Sequence, residues 1–168
     1  GGLPPAGRYR TRLEDERPWL DALRARGGEV LLLAGFMRRL HATLLDAFPD
    51  RILNIHPSLL PAFPGLGAIR QAWEHGARVT GCTVHLVEHA LDAGPILAQS
   101  AVEVRDDDTL ETLAERIHAA EHRLYPATVS RFLRDPWRRE GRRLVFGAAP
   151  RGPAGGPAPD AGREGSRA

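Results

Sequence analysis

Arg51-Ile52-Leu53-Asn54-Ile55-His56-Pro57-Ser58-Leu59-Leu60-Pro61-Ala62-Phe63-Pro64-Gly65 runs an apolar strand directly into a polar pair and then into a proline-stiffened turn. Residues two apart on an extended backbone point to the same face, so Asn54 and His56 can act together on one reacting atom. Ser58 and Leu60 continue the count, but Pro57 and Pro61 forbid a regular ladder beyond His56. A strand that ends this way presents chemistry at its tip.

A single histidine near a strand end is more often a hydrogen-bonded structural residue than a catalyst. The downstream run Gly81-Cys82-Thr83-Val84-His85-Leu86-Val87 changes the balance, because it leads to Leu91-Asp92-Ala93-Gly94-Pro95, an acidic residue in a Gly/Pro turn. Amide, imidazole and carboxylate at neighbouring strand ends make an acid-base constellation of Asn54, His56 and Asp92.

Outward from these motifs the pattern alternates strand and helix, as in a parallel α/β sheet. Residues 12–26 read as a helix, with Trp19, Leu20 and Leu23 as its apolar stripe and Gly27-Gly28 ending it. Residues 29–34 form a continuous apolar run, as expected of a strand buried on both faces. A helix over 38–47, a strand over 51–55 and a helix over 69–75 follow. Residues 79–87 and 96–104 are strands around the Asp92 turn, the second near a sheet edge. Asp107 or Asp108 is placed to cap a helix running to Phe132, kinked at Pro126. The strands at 29–34, 51–55 and 79–87 are expected to lie parallel. Residues 147–168 hold Gly, Pro, Ala and charge without an aliphatic stripe, so a disordered tail is expected after a domain spanning residues 1–146.

Composition narrows the function classes. At 168 residues and 42% hydrophobic content the chain suits one globular domain. No apolar run approaches the ~20 residues of a bilayer crossing, so no membrane partner is expected. The net charge of +2 is small and every basic side chain is arginine. Without interleaved aromatics, the arginines near the C-terminus do not read as a nucleic-acid surface. Cys82 is the single cysteine and reads as a small core residue, with the cytoplasm as the default compartment. One Cys and scattered His show no metal-ligand spacing, so no metal is expected. The oligomeric state is left open.

The chain resembles the phosphoribosylglycinamide formyltransferases of purine biosynthesis over roughly residues 9–133. The resemblance rests on Leu33-Ala34-Gly35-Phe36-Met37-Arg38, on Asn54 to Pro61, on Thr80 to Val87, on Leu91 to Pro95, and on Glu121-His122 with Tyr125-Pro126. It implies a Rossmann-like formyltransferase fold and 10-formyltetrahydrofolate as co-substrate, with glycinamide ribonucleotide as formyl acceptor. It also implies that His56, protonated beside Asp92, and the Asn54 amide donate to the formyl oxygen while Asp92 helps move the amine proton. Folate contacts would come from Arg12, from Met37, Arg38, Arg39 and Leu40, and from Glu88, His89, Ala90, Leu91 and Asp92, together with Asn54. His118 and Glu121 fall where the family binds the nucleotide substrate, although such residues on a helix are as readily solvated. Gly67 and Ile69 depart from a pattern with histidine nearby. His85 is expected to be a structural hydrogen-bonder, and no partner is assigned to His41, His75, His89 or His122.

Family members open with a strand and a glycine-rich phosphate turn, which nothing between Gly1 and Arg12 can supply. The expectation is therefore a chain lacking the N-terminal strands, one that binds folate better than nucleotide. Relatives of the same fold set the alternatives: a methionyl-tRNA formyltransferase would continue into a basic domain, and a formyltetrahydrofolate deformylase tends to carry His at the position of Pro57. A non-catalytic folate-binding fragment is the reading from another class.

Overall fold

The computed structural model describes residues 16–36 and 38–147. Six strands, β1 (Leu31–Leu33), β2 (Ile52–His56), β3 (Val79–Leu86), β4 (Ile96–Glu103), β5 (Trp137–Glu140) and β6 (Arg143–Phe146), form one sheet in the order β1-β2-β3-β4-β6-β5. The helices are α1 (Glu16–Ala25), α2 (Ala42–Ala47), α3 (Ala68–Glu74) and α4 (Leu110–Arg134).

Strand alternation divides the core into two layers. Leu53 and Ile55 of β2 join Cys82, Val84 and Leu86 of β3 against Leu113, Ile117, Ala120 and Phe132 of α4. Ile52, on the other parity, packs with Leu44, Leu45 and Phe48, and the Trp19-Leu20-Leu23 stripe of α1 covers that cluster together with Leu31 and Leu33. The row Ile52, Asn54, His56 thus begins apolar under α1 and α2 and turns polar where those helices end, which opens the site. Burial pushes the Cys82 thiol up to about 11, as suits an inert core residue.

The α/β class holds, but the sheet is mixed. β1 and β2 are parallel, as are β4 and β6, whereas β3 is antiparallel to both β2 and β4. The expected parallel placement of 79–87 beside 51–55 is therefore corrected: the α3 connection returns the chain in the opposite sense. β1 is not buried on both faces, since it ends the sheet among the described strands and Leu32 is 50% exposed. β4 is interior, flanked by β3 and β6.

Residues 38–41 are not helical. The Glu16 carboxylate accepts from the His41 N–H at 2.7 Å and the Leu44 N–H at 3.2 Å, so a distant side chain anchors the first turn of α2 and sets its start. Thr109, rather than either aspartate, caps α4, in a reciprocal capping box with Thr112. Asp108 instead accepts from the Arg105 N–H at 2.7 Å and from Arg116. The helix continues as a single element across Pro126. The β5–β6 hairpin lies where no strand is expected. The stacking of Phe132 on Trp137, with ring centroids 4.9 Å apart, joins it to α4. Of the expected tail at 147–168, Gly147 is ordered by its N–H donating to the Pro136 carbonyl at 2.8 Å, while residues 148–168 and the opening residues 1–15 lie outside the described residues.

Glu16 is a test of how much of this frame hangs on one carboxylate. Glu16→Ala removes two charge-assisted bonds, to the N-cap N–H and the first-turn N–H of α2, the second of which, that of Leu44, lies at a buried position. Urea unfolding of the variant is expected to show a loss of about 2 kcal/mol.

Candidate active site

Antiparallel pairing of β2 with β3 sets Asn54 opposite His85 and His56 opposite Thr83. Cross-strand partners share a face, so four polar side chains gather on one patch of otherwise apolar sheet. The Asn54 amide donates to His85 Nε2 at 3.3 Å, and His85 Nδ1–H donates to the Leu86 carbonyl at 2.8 Å. Burial, opposed by that backbone bond and by Asp92, lowers the His85 pKa and keeps the ring neutral. Its Nε2 lies 3.8 Å from Asp92 Oδ1, but a neutral Nε2 carries no proton to share. His85 is a hydrogen-bonder, as expected, and its partner is Asn54 itself.

His56 is 6% exposed, and its Nε2–H donates to the Phe63 carbonyl at 2.9 Å. That bond fixes the ring orientation and leaves Nδ1 facing Asp92 Oδ2 at 3.6 Å. Asp92 Oδ2 also accepts from the Gly65 N–H at 2.8 Å. The expected trio is thus brought together, with the carboxylate well inside the ~6 Å reach of direct charge coupling.

Two residues in left-handed backbone hold this geometry, Phe63 at φ 53° and Asp92 at φ 48°. Such conformations persist where surrounding structure over-determines them. Around Phe63 the surround is a polar network centred on the buried Ser58 and Thr83 and reached from the surface by Gln99. The Thr83 hydroxyl donates to the Ser58 carbonyl at 2.7 Å and accepts from the Leu60 N–H at 3.1 Å. Gln99 Nε2 donates to the Leu60 carbonyl at 2.9 Å and to Thr83 Oγ1 at 3.0 Å, and Ser58 Oγ–H to the Ala62 carbonyl at 2.6 Å. For the Asp92 turn the constraint is steric. A Cβ on Gly94 would sit 1.9 Å from the Leu86 carbonyl oxygen, so only glycine lets the turn fold back onto β3.

Beside the trio lies a cleft of about 480 Å³ including its open mouth. Its walls are Leu33, Phe36, Arg38, Arg39 and Leu40 on one side and Val87 to Asp92 on the other, with Asn54 and His85 at the floor. Arg39 Nη2 donates to the His89 carbonyl at 3.0 Å, bridging the walls, and His89 Nε2 lies 3.3 Å from Asp46 Oδ1. His75 likewise has a neighbour, the Phe63 ring, edge-on at 5.7 Å. Arg12 and Met37, both expected at the folate site, lie outside the described residues.

His118 is exposed and does not line the cleft. Glu121 is half-buried, and burial raises its carboxyl pKa, while His118, His122 and His56 act to lower it. The carboxyl group is therefore within electrostatic range of the His56 ring. Four α4 residues further on, the Tyr125 hydroxyl lies 2.9 Å from the Leu33 carbonyl and 3.0 Å from the Leu53 carbonyl, tying β1 to β2 beside the site. Among the described residues, no group of three His, Cys, Asp or Glu side chains is placed to hold a metal ion, and no helix is long and apolar enough to cross a membrane.

Thr83, Gln99, Phe63 and the Asn54 contact of His85 had no place in the sequence reading. The alternation of Thr83 and His85 matched that of Asn54 and His56, but only the register shows that the two pairs face one another.

The mixed α/β sheet brings Asn54, His56 and Asp92 together beside an open cleft, and comparison with known proteins identifies the family. The formyl transferase family profile matches residues 4–129, and the chain belongs to that family. It is 46% identical over 125 residues to the phosphoribosylglycinamide formyltransferase of Bacillus subtilis (strain 168), covering 74% of this chain and 64% of that protein. The chain therefore spans a little under two thirds of that relative's length. The crystal structure of glycinamide ribonucleotide transformylase 1 from Symbiobacterium toebii matches at a TM-score of 0.79 and 49% identity, over 86% of this chain and 68% of that one. A formyltetrahydrofolate deformylase from Pseudomonas syringae pv. tomato matches at a TM-score of 0.74 but 27% identity, over 81% of this chain and 47% of that one.

The neutral His85 gives a pH signature. An unfolded imidazole takes up a proton near 6.5, the buried one only at lower pH, so in that window the unfolded state binds more protons and His85 costs stability as pH falls. His85→Asn should flatten the decline of unfolding free energy between about pH 7 and pH 5 relative to the parent. Equal slopes for both proteins would show that His85 is not the group responsible.

Proposed function

We propose that this chain carries the formyl-donor and catalytic part of a phosphoribosylglycinamide formyltransferase. In this reading it moves the formyl group of 10-formyltetrahydrofolate to the amine of glycinamide ribonucleotide, in the cytoplasm, and residues up to 146 belong to one formyltransferase domain. The observation that carries the reading is the meeting of His56 Nδ1 and Asp92 Oδ2 at 3.6 Å, with Asp92 and Asn54 lining a cleft whose walls include residues 38–40 and 87–92. Main-chain N–H and C=O groups of residues 38–40 and 88–92 suit the flat, polar-edged pterin of a folate. Asn54, at the inner end, then meets the formyl group. The relatives named as glycinamide transformylases support this choice of acceptor over water.

The chemistry follows from the geometry. Attack by the substrate amine on the formyl carbon breaks the C=O π bond and puts negative charge on oxygen. The Asn54 amide has one N–H on His85 and a second to offer that oxygen. Because His56 Nε2–H is held by the Phe63 carbonyl, a proton on Nδ1 makes that edge the second donor, with the imidazolium beside Asp92. Collapse of the intermediate re-forms C=O and breaks the bond to N10 of the folate. The proton lost by the attacking nitrogen passes to N10, with Asp92 as the relay through water. Glu121 of α4, outside the cleft lining but within electrostatic range of His56 and His118, faces the nucleotide in this reading. A carboxyl with a raised pKa suits a contact with the glycinamide amine.

Purified chain incubated with 10-formyltetrahydrofolate should show release of free folate that depends on glycinamide ribonucleotide. Nucleotide-independent formate release would assign a deformylase, and folate binding without turnover a non-catalytic fragment. If turnover is found, His56→Ala and Asp92→Ala should each lower kcat by ~10²-fold or more with little change in folate affinity. The double variant should lose much less than the product of the single losses, because the two side chains act as a unit. Multiplicative losses would break the proposed pairing.

A further inference from the structure

The loop that carries Asp92 has little structure of its own. It runs from Val87 to Pro95 without a helix or strand, Leu91 is 54% exposed, and Asp92 sits at positive φ. Within it, the Asp92 carboxylate is anchored to the Gly65 N–H from another segment. Yet two arginines of the β5–β6 hairpin reach it from outside. Arg139 Nη2 donates to Glu88 Oε1 at 2.5 Å while its Nη1 donates to Asp50 Oδ1 at 2.8 Å, in the turn before β2. Arg142 Nη2 donates to the Ala93 carbonyl at 2.7 Å, next to Asp92.

We propose that Arg139 and Arg142 are positioning residues for the formyl-donor site, a two-point clamp that holds residues 88–93 against the sheet so that Asp92 stays within reach of His56. The proposal rests on the reading of residues 88–92 as the wall of that site. The hairpin at residues 137–146 lies beyond the family match at 4–129, so the match itself assigns it nothing.

The geometry explains why residue 139 is arginine. One planar guanidinium spans two carboxylates at once, which an ammonium on a flexible stem does not do. Asp50 precedes β2 and Glu88 follows β3, so the fork ties together the flanks of the two strands that carry Asn54, His56 and His85. Arg142 meets a carbonyl rather than a charge, and there lysine could substitute. The clamp closes on the loop at both ends, Glu88 and Ala93, with Asp92 between them. The Arg139, Asp50 and Glu88 side chains are about one-third exposed and Arg142 is exposed, so each contact contributes modestly. A loop opening governed by such contacts should respond by factors of a few rather than by orders of magnitude.

Hydrogen-deuterium exchange of the full chain is the test, on the parent, Arg139→Ala, Arg139→Lys, Arg142→Ala and Arg142→Lys. Arg143→Ala, on the same hairpin but without a hydrogen bond to residues 88–93 in the structure, controls for loss of charge. Both Ala variants should speed exchange in residues 88–93 by about threefold to tenfold, with β3 and β4 unchanged. Arg142→Lys should restore protection, Arg139→Lys only part of it, and Arg143→Ala should match the parent. Titration with a non-reactive 10-formylfolate analogue should show the same order of weakening.

Unchanged exchange at 88–93 in the Ala variants would overturn the clamp. So would a rise spread evenly over the sheet, which would make the hairpin a general structural element. A parent chain that binds no folate analogue would count against the donor-site reading, while the exchange pattern alone would still decide whether the clamp exists.

Discussion

The antiparallel register of β2 against β3 is the constraint from which the site follows. Asn54 opposite His85 and His56 opposite Thr83 put two polar pairs on one face. A slip of one residue would turn all four into the α4 core and bring Leu53, Ile55, Val84 and Leu86 to the cleft. Because that core is built from those apolar residues, the hydrophobic pattern enforces the register. The polar face is then held by the packing of the opposite one. A polar cluster that would be costly if isolated is stable here because its members bond one another and nearby main chain.

Orientation within the cluster depends on carbonyls. Phe63 O holds one edge of His56, Leu86 O one edge of His85, and in each case the bond commits a ring nitrogen as donor and leaves the other facing inward. The two imidazoles are then chemically distinct despite their proximity. His85 accepts from Asn54 and serves to aim the amide. His56 turns its remaining nitrogen toward Asp92. The two left-handed residues supply this arrangement, since Phe63 bends its carbonyl back under His56 and Asp92 bends its carboxylate over the strand ends.

Much of this was legible in the sequence, and the parts that were not share a cause. Ile52 to His56, the stripe of α1 and the buried face of α4 could be read because apolar period encodes which face is covered. Strand direction could not. Val79 to Leu86 reads the same parallel or antiparallel, and the α3 connection suggested a crossover that the structure does not make. The helix expected from Arg38 starts at Ala42 because Glu16, far away in sequence, supplies its anchor. The β5–β6 hairpin was missed because Trp137-Arg138-Arg139-Glu140 shows no apolar alternation. Its inward contacts are made by arginines bonding to loops. Asn54, His56 and Asp92 were legible because motif order carried them, whereas Thr83, Gln99 and Phe63 act through contacts that only the folded register creates.

The distribution of charge around His56 then separates the two sides of the site. Toward the cleft stands Asp92, 10% exposed at its side chain and paired with a backbone N–H. Toward α4 stands Glu121, whose carboxyl is biased by burial toward the neutral form. Two full negative charges flanking one imidazole would compete for its proton. The 3.6 Å contact makes Asp92 the near electrostatic neighbour of Nδ1, while burial on the α4 side works against a second full negative charge at Glu121. Under the proposed function, a substrate amine arriving on the α4 side would meet Glu121 as a hydrogen-bond partner. In that reading, this separation would let one ring serve the formyl oxygen on one side while the acceptor is gathered on the other.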